Sequence, residues 1–184
     1  MKRSNTFKIT IMSIAVVINI VGAFIATTLK LPIFIDTIGT FLSAFLFGPV
    51  GGMLTGMVTS LINGLTFDPY SLYFIPVQAI IGLMTGICYK KNLFKGKFLI
   101  LGIIITTVMG SIVASLISAF VFGGITSSGT SFIVMYLKEA GVNIVTSVFS
   151  TQILFDLIDM GITVLLVLTI LKALPANIKV TSGV

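Results

Sequence analysis

Two aspartates, Asp156 and Asp159, lie inside the otherwise apolar run Val142 to Leu171 of this 184-residue chain. An intramembrane carboxylate costs about 2.5–3.5 kcal/mol on insertion scales, so it needs a polar partner or water. On a helix both share a face with Gln152, while Asn143, Ser147 and Ser150 fall on the opposite face. The face carrying Asn143 and Ser147 starts near the head of the helix and suits a ligand pocket open to the outside. The Asp156 face lies about 20 Å further along and suits structural pairing or contact with a partner. Asp36, followed by Thr37, opens an earlier apolar run. Asp68, Pro69, Tyr70 and Tyr73 mark a turn, and Gln78 sits one or two helical turns beyond it. Carboxylates, an amide and aromatic rings at one end of a bundle suit a small polar ring compound. The plainer readings are helix capping for an Asp followed by Pro and interfacial anchoring for tyrosine.

Bond-making chemistry has little to work with. Histidine is absent and Cys88 is the one cysteine. That excludes a Ser-His-Asp triad, a His-rich zinc site, a disulfide framework and an iron–sulfur cluster. There is no phosphate-binding loop ending in Lys-Ser/Thr. No catalytic residue, metal ligand or cofactor is therefore assigned, and the chain reads as a non-enzyme.

The elements that must position these groups are apolar helices. Hydrophobic residues make up 57% of the chain and charged residues 9%, against roughly 25% charged in a soluble domain. With a mean hydropathy of +1.20, the charges are too few to cover a water-facing surface. The expected fold is all-α: one integral membrane domain over residues 1–184, with six transmembrane helices at about 7–29, 33–47, 49–65, 72–89, 98–122 and 142–171. A short interfacial helix is expected at about 131–140. The second run is only about 15 residues, fewer than the roughly 20 of a full span. The first run is too long in its apolar stretch for a signal peptide and is read as a permanent helix.

The eleven basic residues orient the bundle. With the N-terminus in the cytoplasm, Lys2, Arg3, Lys8, Lys90, Lys91, Lys95, Lys97, Lys172 and Lys179 fall inside, and only Lys30 and Lys138 outside. Both termini are thus expected in the cytoplasm, in a multi-pass protein of the cell membrane. Basic residues spread between apolar runs do not form the soluble face that a nucleic-acid partner requires. Small residues recur at every fourth position in the third run: Gly48, Gly52, Gly56, Ser60 and Gly64. Such faces allow close helix approach, either within the bundle or against a partner.

These features resemble the S components of energy-coupling factor (ECF) transporters. The resemblance rests on six short helices, the basic loop after the fourth, and the segment Phe47-Gly48-Pro49-Val50-Gly51-Gly52-Met53-Leu54-Thr55-Gly56. Ile75-Pro76 with Gln78 and Gly82, and Asp156-Leu157-Ile158-Asp159 ahead of Leu174-Pro175, fit it as well. It implies a subunit that binds one vitamin-like small molecule from outside. It also implies partners: a membrane coupling protein and two ATPase subunits that energise uptake. Family members often carry an Ala-x-x-x-Ala docking face on the first helix. Here Ala15, Asn19 and Ala23 occupy that spacing.

The expected substrate-binding residues are Asp36, Asp68, Tyr70, Tyr73, Gln78, Asn143 and Ser147. They suit a neutral or cationic ring compound (pyridoxine-like, riboflavin-like or nucleoside-like, in that order) rather than a polyanion. The alternative is a secondary transporter acting alone, with Asp156 or Asp159 coupling protons to a small polar solute.

Overall fold

The computed structural model describes residues 5–175. Lys2, Arg3 and Lys179, which the charge split counts, lie outside the described residues. The order is α1 (Asn5–Thr28), α2 (Ile38–Phe47), α3 (Pro49–Thr66), α4 (Ile75–Lys90), α5 (Leu99–Phe122), α6 (Thr130–Glu139) and α7 (Ile144–Ala173), and no strand occurs among the described residues. Single 3₁₀ turns, Pro69–Leu72 and Gly96–Phe98, precede α4 and α5. By length and composition three helical stretches can cross a membrane: α1, Gly96–Phe122 and α7.

The second helix starts later than its apolar run. A helix from Ile33 is corrected to one from Ile38, because Lys30 and Ile35 have φ of 52° and 54°. That left-handed backbone cannot continue a right-handed helix. α2 then runs for ten residues, about 15 Å, and ends at Gly48. The positive φ of Gly48 (84°) is followed by Pro49 at the first position of α3. Glycine takes the left-handed turn without steric cost and proline starts the next helix with its φ already set.

This short helix is the centre of the bundle. α2 touches α1, α3, α4 and α7; α5 packs on α4 and α7, and α6 on α7. Every residue from Gly39 to Leu46 is buried, as expected of a helix that is apolar all round. Phe41, Phe45 and Phe94 form its aromatic core.

The outer helices are arranged the other way about. α5 buries Thr106, Thr107, Gly110, Ser111 and Ala114 and exposes Ile100, Ile104, Ile112, Leu116 and Phe120. α7 buries Ser147, Gln152, Asp156 and Asp159 and exposes Leu154, Ile158, Ile162 and Leu165. Small and polar residues inside, with large apolar ones outside, are what a bundle solvated by lipid requires. The chain is a membrane protein. The small face of α3 is internal: Gly52, Gly56, Ser60 and Gly64 are all buried. A β-carbon on Gly82 of α4 would overlap the backbone of Gly52, so these two helices approach as closely as their backbones allow.

Candidate functional site

The brevity of α2 creates a recess. Its roughly 15 Å cover half of a hydrocarbon core about 30 Å thick. Its neighbours α1 and α7 have 24 and 30 residues and continue past its start. Residues 29–37 connect α1 to α2 through this space without forming helix, and they leave a cavity against α7. The cavity volume is about 70 Å³, within about 720 Å³ of empty space when its open side is counted.

Eight parts of the chain line it. α1 contributes Ala23 and Thr27, and the connection to α2 contributes Phe34, Asp36 and Thr37. Ser60 comes from α3, and Asp68, Tyr70, Ser71 and Phe74 from the turn before α4. Val77, Gln78 and Ile81 come from α4 and Ala114 from α5. Thr126 and Ser127 follow α5, and α7 supplies Gln152, Asp156, Asp159 and Met160.

Four carboxylates therefore meet one space, and each is held by neutral donors. Gln78 Nε2 donates to Asp36 Oδ2 at 2.7 Å. Ser71 and Ser127 hydroxyls donate to Asp68 Oδ2 at 2.8 and 3.0 Å. Asp156 accepts from Ser111 Oγ at 2.6 Å and from Gln152 Nε2 at 3.0 and 3.2 Å. The Ile35 amide donates to Asp159 Oδ1 at 3.1 Å. Burial of polar groups is tolerable because they are bonded in this way. Gln78 Oε1 is the exception: it has no hydrogen-bond partner and is buried against Gly56 of α3, where a β-carbon would stand 3.1 Å from it.

Two aromatic residues close another side. Tyr70 and Phe74 both pack on Phe122, with ring centroids 4.9 and 6.2 Å away. Phe122 is the last residue of α5, so the end of α5 holds the turn before α4 in place.

Of the seven residues expected to bind substrate, the structure brings Asp36, Asp68, Tyr70 and Gln78 together. The other three lie elsewhere. Tyr73 is 55% exposed and its ring stands edge-on to Phe122. Asn143 caps α7, its side chain accepting from the Val145 amide at 2.8 Å. Ser147 is buried and donates back to the Asn143 carbonyl. The opposite face of α7 lines the cavity instead, because residues 29–37 dip alongside the middle of α7 rather than its start. Asp156 is thus a wall residue, and it also makes the structural pairing expected of its face, with Ser111 and Gln152. The pattern of residues had singled out Gln152, Asp156 and Asp159; the depth of the cavity was missed. Phe34, Phe74 and Ser127 carried no signal of their own.

The structure turns the expected docking face of the first helix inward. Ala15, Asn19 and Ala23 are buried, covered by α2 and α3 rather than turned outward. Asn19 Nδ2 donates to Thr40 Oγ1 at 2.9 Å and to Thr59 Oγ1 at 3.1 Å, and its Oδ1 accepts from the Gly39 amide at 2.6 Å. A β-carbon on Gly39 would overlap the Ala15 backbone. The small residues here serve close approach within the bundle.

Comparison with known proteins gives a family match over most of the chain. The family described as "ECF transporter, substrate-specific component" matches residues 7–171. The riboflavin transporter RibU of Staphylococcus aureus (strain TCH60) is 32% identical over 111 residues, 54% of this chain. The match spans 58% of the length of that relative. No solved structure matches.

Proposed function

From the premise that the chain belongs to the family of ECF transporter substrate-specific components, we propose that it binds a small water-soluble vitamin or related micronutrient and hands it to an ATP-driven module for uptake. In this reading α1 to α5 and α7 are the six spans, α6 lies at the interface, and both termini face the cytoplasm of a multi-pass cell-membrane protein. The partners are a membrane coupling protein and two ATPase subunits. The chain itself performs no chemistry. The observation that supports this best is the polar cavity itself: Asp36, Asp68, Tyr70 and Gln78 converge beyond the start of a truncated helix, within the matched residues. The riboflavin named for the S. aureus relative is a ring-containing vitamin and agrees with a site of aromatic and hydrogen-bonding side chains.

Asp156 and Asp159, buried in α7, favour one other reading, a stand-alone proton-coupled transporter. Uptake into proteoliposomes separates the two. Uptake of a copurified solute that requires coassembled ATPase subunits and internal ATP is the expected result. Uptake driven by a proton gradient with the solitary chain would replace the first reading by the second.

A further inference from the structure

The chain has five acidic side chains, and none stands where α2 runs into α3. Asp36, Asp68, Asp156 and Asp159 line the cavity already described, and Glu139 ends α6. At the other end of α2 lies a second hollow, of about 230 Å³. Lys8 of α1 and Lys90, the last residue of α4, flank it, and Phe45, Phe47 and Tyr89 supply aromatic walls. Tyr89 stacks on Phe45 with ring centroids 4.0 Å apart, so that wall is fixed. A β-carbon on Gly48 would stand 3.5 Å from Lys90 Nζ, which places this ammonium at the α2–α3 turn. Neither Lys8 nor Lys90 has a hydrogen-bond or ionic partner among the described residues. The counter-charge must come from outside the fold.

The surroundings say what kind of anion fits. α3 begins and α4 ends at this hollow, which puts it at the level of the helix ends, where lipid headgroups lie. Apolar surface leads away from it: Ile9, next to Lys8, and Val50, two residues beyond Gly48, are 63% and 58% exposed. A free anion would use the ammoniums and leave that surface idle, whereas a phospholipid uses both. The charge split expects this end in the cytoplasm, where the leaflet carries anionic lipids and basic pockets between helices take their headgroups. Orientation alone asks for basic residues on this side, not for two from separate helices around one hollow.

We propose that the hollow is a headgroup site for an anionic phospholipid, with Lys8 and Lys90 answering the phosphodiester and the acyl chains lying along the exposed apolar faces of α1 and α3. It is separate from the solute cavity, at the opposite end of α2.

The test uses the full chain in detergent, with native mass spectrometry reading the lipid that stays bound. Dioleoyl phosphatidylglycerol and dioleoyl phosphatidylcholine share their chains, but the second carries an ammonium beside its phosphate. From an equal mixture, phosphatidylglycerol should be retained at least about tenfold over phosphatidylcholine. Lys8→Gln and Lys90→Gln should each cut that preference at least about threefold. Both side chains are exposed, and either variant carries the test alone. Lys97→Gln should leave the preference unchanged, since Lys97 is not part of the hollow and lies over the Phe98 ring, 5.4 Å from its centroid. Equal retention of the two lipids, a preference that survives in both hollow variants, or an equal loss in all three would overturn the proposal. So would displacement of the lipid by glycerol 3-phosphate at the lipid's own concentration, which would give the hollow to a free phosphate ester.

Discussion

Asn19 shows what a single buried polar side chain does in an apolar bundle. Its amide spends both donors and its acceptor on three groups of α2 and α3. Removing one partner of such a set leaves buried groups unsatisfied, at about 1–3 kcal/mol each. Asn19→Ala should therefore lower the thermal unfolding midpoint of the detergent-solubilised chain. An unchanged midpoint in Asn19→Ala would mean that the three bonds contribute nothing net. Gln78 makes the corresponding argument at the site. Gln78→Ala deletes the donor that holds Asp36 on the wall, and should weaken binding of the copurified solute by about fivefold to 150-fold, the equivalent of one lost buried bond. Isothermal titration would show it; full affinity in Gln78→Ala would move recognition to another wall. Gln78 and Asp36 were both legible in the sequence as polar residues at the head of apolar runs. The role of Asn19 was not, since its partners Thr40 and Thr59 are 21 and 40 residues away and look like any threonine in an apolar helix.

The connection between α1 and α2 acts as an element without being a helix or a strand. Ile35 is β-branched and left-handed, a conformation that costs about 1–3 kcal/mol and persists only when its surroundings enforce it. Two contacts do so here. Asp159 accepts the Ile35 amide, and a β-carbon on Gly22 would overlap the Ile35 carbonyl oxygen. The glycine thus lets the connection lie flat on α1, and the aspartate ties it to α7. Gly22→Ala must push residues 34–36 away, at about 1–3 kcal/mol for overpacking, and with them Phe34 and Asp36 of the cavity wall. The expected outcome is faster proteolysis between residues 30 and 37 together with weaker solute binding. Protection equal to that of the parent chain would show that the connection tolerates the extra carbon. The existence of every helix was readable from apolar run lengths and from Gly-Pro and Asp-Pro punctuation. The late start of α2 was not, because a left-handed isoleucine is set by tertiary contacts and leaves no local mark. Misplacing that start by five residues is also what hid the cavity, and with it the role of the Asp156 face.

The two ends of the whole bundle differ in charge, and the cavity sits at the less basic one. Lys8 of α1, the end of α2 and Lys90 of α4 surround one hollow at the far end of α2. Lys30 instead reaches the Ser127 carbonyl at 3.4 Å, beside the cavity wall, and Lys138 closes α6. Basic residues held back on the cytoplasmic side orient membrane proteins, so the end bearing Lys8 and Lys90 should face the cytoplasm and the cavity the outside. Asn92 and Glu139 mark these two ends, and both are exposed. Cys88 is buried, 2% exposed, and gives little background to a thiol reagent. In intact cells Glu139→Cys should react with an impermeant maleimide, and Asn92→Cys should react only after the membrane is permeabilised. The reverse pattern would turn the cavity towards the cytoplasm, and a subunit that captures solute from outside could not then load in this conformation.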